Sequence, residues 1–188
     1  MHLAAAAAIL VAAAAEAATA QPSPLTRLQP PIASACISSP FGPRVLANRP
    51  KVGTYHYGID MPAPAGEAVR AAAPGRVMRI QRKGPGGLEV LVQHDGFVGI
   101  YSHLGMVAPA LAEGRTALAT GEKIGVVGRT GLTYGTHLYF GMLFAGKPVD
   151  PAPYLGLALC NGGIVRKPAD MVAGDGKIPP TRRYTASN

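Results

Sequence analysis

Tryptophan is missing from this chain, and aromatic residues of every kind make up only 6% of its 188 positions. Basic residues outnumber acids by 18 to 10, yet no stretch interleaves clustered Lys and Arg with aromatic rings. That absence argues against a nucleic-acid-binding surface. The apolar run Leu3–Ala15 is too short to cross a bilayer, which takes ~20 apolar residues. No other stretch could span a membrane. Cysteine is also scarce, with Cys36 and Cys160 alone. No internal repeat is visible, and only 108–119 has the texture of a helical turn.

Glycine and proline are plentiful, at 24 and 18 residues. With few aromatics, that composition favours many short strands joined by tight turns over long helices. Segments 68–72 and 76–81 flank Pro74-Gly75, a turn signal. Segments 88–94 and 97–103 flank Asp95-Gly96 and predict a hairpin with a type I′ turn. Segments 123–127 and 137–143 are further short strands, set among glycines at 125, 128, 131, 135 and 141. The expected fold class is all-β: a compact antiparallel sheet or sandwich.

The first 20 residues have the pattern of a secretory leader. Glu16 ends the apolar run, and Ala18-Thr19-Ala20 offers the small residues of a cleavage site, although Met1-His2 carries no positive charge. Four segments are expected: a signal peptide over 1–20, a Pro-rich lead-in over 21–34, a domain over 35–160, and a polar, flexible tail over 161–188. Removing the leader takes away Glu16 and no base, so the net charge of +8 rises by one. A basic exported protein meets acidic polymers, membranes or cell wall. In an oxidising compartment an even cysteine count favours one bridge, Cys36–Cys160, over two buried thiols. The pair, with no visible wall anchor, favours the periplasm over extracellular release.

Chemistry concentrates in a few polar residues. His56 and Asp60 form an H-x-x-x-D spacing, and on an extended chain residues at even offsets share a face. Gly58, Pro62 and Pro64 argue against a helix there. Imidazole with carboxylate is a zinc-compatible pair. His103 closes Tyr101-Ser102-His103-Leu104, and His137 opens His137-Leu138-Tyr139-Phe140. His94, before the Asp95-Gly96 turn, has the setting of a structural histidine.

Taken in order, these segments resemble the LytM/lysostaphin-type zinc endopeptidases, which cut peptide cross-links in bacterial peptidoglycan. The resemblance runs from Ser38 to about Leu155. Ser39-Pro40-Phe41-Gly42-Pro43-Arg44 is similar to the opening strand of that family, and His56–Asp60 to its first metal motif. Ala65-Gly66 to Pro74-Gly75 is similar to its next hairpin. Tyr101–Leu104 is similar to the segment with a catalytic histidine, and Gly128–Phe140 to the glycine-rich approach to H-x-H. Pro148-Val149-Asp150-Pro151 is similar to the closing turn.

The resemblance implies a grooved β domain with His56 and Asp60 as zinc ligands. It implies His103 and His137 as catalytic residues that handle protons and steady the oxyanion. The third ligand position holds Tyr139 in place of histidine, and Gly141 stands where the family often has an acid. A phenol, with a pKa near ~10, is a poor zinc ligand unless the metal ionises it.

The leading expectation is therefore an exported, non-hydrolytic domain with zinc weak or absent. It would bind wall peptides of peptidoglycan in its groove, or bind and activate a separate wall hydrolase such as a cell-wall amidase. The alternative is a working zinc metalloendopeptidase with an unusual ligand set. A third class, a biotinyl- or lipoyl-type carrier, is suggested by 69–77 and 123–128. It lacks a lysine at the hairpin tip.

Overall fold

The computed structural model describes residues 28–44 and 54–160. The expected leader, the start of the lead-in and the expected tail lie outside the described residues. The fold is all-β, and every strand pairing is antiparallel.

Among the described residues twelve strands follow one another: β1 (Gly42–Pro43), β2 (Tyr55–His56), β3 (Ile59–Pro62), β4 (Ala68–Arg70), β5 (Gly75–Arg82), β6 (Leu88–His94), β7 (Val98–Ser102), β8 (Leu104–Val107), β9 (Ala117–Leu118), β10 (Lys123–Val127), β11 (His137–Phe144) and β12 (Lys147–Val149). Two short helices, α1 (Pro109–Ala112) and α2 (Ala152–Leu155), complete the set. The main sheet runs β12-β11-β7-β6-β5-β9, with β3 also paired to β11. A three-stranded sheet β4-β10-β8 and the pair β1-β2 stand beside it.

Alternation along the strands separates core from site. Val90, Tyr101, Phe140 and Ile59 are cross-strand neighbours on β6, β7, β11 and β3. All four are fully buried. Each such aliphatic or aromatic side chain contributes about 1.5–3 kcal/mol on burial. One position along, the side chains project from the opposite face. There Tyr139 stands beside both Ser102 and Asp60. The register that buries Phe140 therefore delivers Tyr139 and Asp60 to one surface.

Three local expectations need adjusting. Asp95-Gly96 does not form a type I′ turn, which requires positive φ at both central residues. Gly96 has φ of 79°, while Asp95 is not among the positive-φ residues. The helical turn expected within 108–119 is confined to α1, followed by β9. Packing also begins upstream of Ala35: Leu28 and Ile32 are buried in the core, and Leu28 N–H donates to the Tyr154 carbonyl (2.9 Å).

Cys36 and Cys160 form a disulfide, with Cα atoms 5.0 Å apart. The bond joins the two ends of the domain beside an isolated parallel bridge, Ile37 with Leu159.

Candidate functional site

His56 and Asp60 do not share one continuous strand. Residues 57 and 58 bend between β2 and β3. Gly58 within that bend lets β11 come close: a Cβ there would stand 2.6 Å from the Phe140 carbonyl oxygen and 2.6 Å from Tyr139 Cζ. The two side chains still meet, with His56 Nε2 3.2 Å from Asp60 Oδ1. His56 is fixed from behind, because its Nδ1–H donates to the Pro40 carbonyl (3.0 Å). A carbonyl only accepts, so this bond places a proton on Nδ1.

The 38–44 segment holds the other half of the pair. Ser38 N–H donates to the Asp60 carbonyl and Asp60 N–H to the Ser39 carbonyl, each at 2.9 Å. Arg44 Nη1 lies 3.9 Å from Asp60 Oδ2 and donates to Ser39 Oγ (3.2 Å). Sequence reasoning did not single out Arg44 as a site residue. Its signal was the Ser39–Arg44 motif, which carries it toward the site.

His137 starts β11, and its Nδ1–H donates to the Gly135 carbonyl (3.0 Å). Its Nε2 lies 3.4 Å from the same Asp60 Oδ1 that faces His56. Burial alone would push the Asp60 carboxyl up. Hydrogen bonds from His137 and His56, with their charges, outweigh burial and hold it far below the usual carboxylate range. For His137 burial acts downward, but the bond to Asp60 and its charge prevail and raise the imidazole. With Nδ1–H committed to Gly135, the contact to Asp60 is that of an imidazolium with a carboxylate.

His103 sits between β7 and β8 in a left-handed conformation, φ 64°. Two crossing loops grip it. Its N–H donates to the Gly86 carbonyl (2.9 Å), and its Nδ1–H to the Thr130 carbonyl (2.8 Å). Thr130 Oγ1 accepts Leu88 N–H and donates to the Leu104 carbonyl. Burial lowers the His103 pKa against the raising effect of the Thr130 bond. Its ring meets that of His137 edge-on, centroids 4.7 Å apart. His56, Asp60, His103 and His137 are thus gathered at one site.

Tyr139 lies in their midst, its ring centroid 5.4 Å from His56 and 6.2 Å from His103. The ring passes over Gly58 and reaches Gly141, where an added Cβ would stand 3.1 Å from the phenol oxygen. The phenol thus takes up space that a side chain at 141 would claim.

Glu89 was also missed, although an acid inside Leu88–Leu91 was a visible anomaly. It is 4% exposed and accepts hydrogen bonds from Ser102 Oγ and Gln81 Nε2, both at 2.7 Å.

Catalytic zinc takes three protein ligands and keeps one position for water. Here the family pattern supplies His56 and Asp60, with a phenol third. Among the described residues, no group of three or more His, Cys, Asp or Glu is placed to hold a metal ion. Asp60 Oδ1 is shared by the imidazoles of His56 and His137. This donor set does not fit a catalytic zinc.

The profile of peptidase family M23 matches residues 54–151. The DD-carboxypeptidase/endopeptidase Mpg of Neisseria meningitidis serogroup B is 39% identical over 124 residues, covering 64% of this chain and 27% of that protein. The murein hydrolase activator NlpD of Escherichia coli is 33% identical over 100 residues, covering 52% of this chain and 25% of that protein. The chain thus spans about a quarter of the length of these curated relatives. Among solved structures, a zinc containing peptidase from Vibrio cholerae superposes with a TM-score of 0.58 at 25% identity, covering 72% of this chain and 40% of that one.

Proposed function

The chain belongs to peptidase family M23, and from that premise we propose that it is an exported, periplasmic domain that works at peptidoglycan without cutting it. It binds wall peptides in its groove, or binds and activates a separate wall hydrolase such as an amidase. The observation that carries this reading is Tyr139, at the third ligand position and packed over Gly58 and Gly141. Losing even an outer-shell partner of a metal costs about 10–100-fold in affinity or activity, and a missing ligand costs no less.

The retained residues suit recognition. In neutral His103 the Thr130 bond fixes the proton on Nδ1, which leaves Nε2 to accept a hydrogen bond from a peptide amide. His137 and Arg44 neutralise Asp60, so the groove floor presents a compensated polar surface in place of a bare carboxylate. The relative that is a murein hydrolase activator supports the activating form of this reading, and the DD-carboxypeptidase/endopeptidase supports the second reading below.

A second reading, a working zinc metalloendopeptidase with an unusual ligand set, draws on His56, Asp60, His103 and His137 meeting at one site. Purified sacculi separate the two. The chain should sediment with them, less so as salt rises because much of the attraction is between charges, and their turbidity should stay flat. Clearing that EDTA abolishes would establish the metalloendopeptidase instead. Failure to sediment at low salt would leave hydrolase activation as the surviving form of the proposal.

A further inference from the structure

Strand β5 is unlike the rest of the surface. Arg76, Arg79 and Arg82 are exposed along it, and Lys83 follows directly. No acid occurs between Glu67 and Glu89. Met78 and Ile80, set among these cations, are 59% and 38% exposed. Among the described residues, Arg79, Arg82 and Lys83 take part in no ion pair.

The outer edge of the strand is open as well. β9 pairs only with Gly75 and Arg76, and the Thr116 carbonyl accepts the Val77 N–H (2.8 Å). Beyond that point, among the described residues, no strand lies along Met78–Arg82 on the side away from β6. An open edge presents unpaired backbone donors and acceptors, a template for another strand. Charged side chains on such an edge repel a like-charged copy and admit an oppositely charged strand.

We propose that β5 is a docking edge for an extended, acidic segment of a partner protein. The open backbone supplies ladder hydrogen bonds, Arg76 and Arg79 on one face pair with carboxylates, and Ile80 on the opposite face covers the apolar residues that alternate with those acids, with Arg82 and Lys83 adding to the positive field. An anionic lipid surface would satisfy the charges and the apolar side chains. It would leave the outward-facing backbone groups without partners at an apolar boundary, which is costly. A strand satisfies all three features. β5 is separated from β11 by β6 and β7, so this surface is independent of the wall-binding reading.

The probe is a synthetic octapeptide of alternating valine and glutamate, titrated into the isotope-labelled chain by amide NMR. Saturable shifts confined to residues 78–83 and their β6 neighbours are expected, weakening as salt rises. The same peptide with lysine for glutamate should give none. Arg79→Glu with Arg82→Glu should weaken binding at least about tenfold, since like charges then face each other. If that variant fails to fold, the salt dependence of the parent and the lysine peptide decide the matter. Shifts centred on His103 and His137, equal binding of both peptides, or no saturable shift would overturn the proposal. So would sedimentation with phosphatidylglycerol vesicles in the absence of peptide shifts, which would assign the patch to lipid.

Discussion

His94 shows how a single residue here is fixed by the groups around it. Ala72 N–H donates to Tyr101 Oη (3.0 Å), which leaves the Tyr101 proton free to bond His94 Nε2 (3.1 Å). His94 Nδ1–H donates to the Pro74 carbonyl (2.9 Å), and the ring stacks on Phe97. The imidazole is neutral in this relay, with Nε2 as acceptor, and a proton added at Nε2 would face the Tyr101 hydroxyl proton. Burial lowers the His94 pKa despite the Pro74 and Ala73 carbonyls. A group whose folded pKa is depressed contributes stability above its unfolded value, near ~6.5, that is lost as pH falls through the folded value. Urea unfolding between pH 7 and pH 5 should therefore show stability falling on acidification. In His94→Gln, which cannot titrate, the slope should be shallower. Equal slopes in parent and variant would mean that His94 titrates alike in the folded and unfolded states, and a steeper fall in the variant would mean that His94 is protonated in the folded chain.

Among the elements, β11 carries Tyr139 and Gly141 as a packed pair. Tyr139 Oη reaches to within 3.1 Å of where a Cβ at Gly141 would stand, so the phenol and the missing side chain belong together. Gly141→Glu should destabilise the parent by roughly 1–3 kcal/mol, the usual cost of overpacking. It should cost less in a Tyr139→His background, with a coupling energy of about 0.5–3 kcal/mol in a double-mutant cycle of thermal unfolding. Additive effects would separate the two positions. Tyr139→His itself should raise zinc affinity at least about tenfold, because two family ligands become three. A chromophoric chelator in competition reads that change. Much of this strand was legible beforehand: the short segment 137–143, set among glycines, placed it, and the motif spacing located His137 and Tyr139. The packing of Tyr139 on Gly58 was not, since it depends on β3 lying against β11, a pairing between residues far apart in sequence. The bend at 57–58 was hidden for a related reason. Even offsets bring His56 and Asp60 to one face whether the chain runs straight or turns at glycine. The Asp95-Gly96 signal found the hairpin but not its turn geometry, because several hairpin loops accept a glycine at positive φ.

Over the whole molecule, the disulfide and the site are parts of one brace. Cys36–Cys160 anchors the strip in which Ile37 N–H reaches the Ala158 carbonyl and Ser38 N–H the Asp60 carbonyl, each at 2.9 Å. Two residues on, the Pro40 carbonyl holds His56. Replacing both cysteines by serine should cost about 2–5 kcal/mol of stability, measured by denaturant unfolding without reductant. In the folded double variant, amide exchange at Asp60 should quicken more than at Val90 in the core, whereas uniform acceleration would show a global effect only. In the proposed reading, Tyr139 stands where an M23 zinc peptidase has its third ligand and is packed in place as a phenol. Zinc content of the purified chain after exhaustive dialysis tests it most directly. The expected content is well below one zinc per chain, rising toward one in Tyr139→His. One tightly held zinc per parent chain would contradict it.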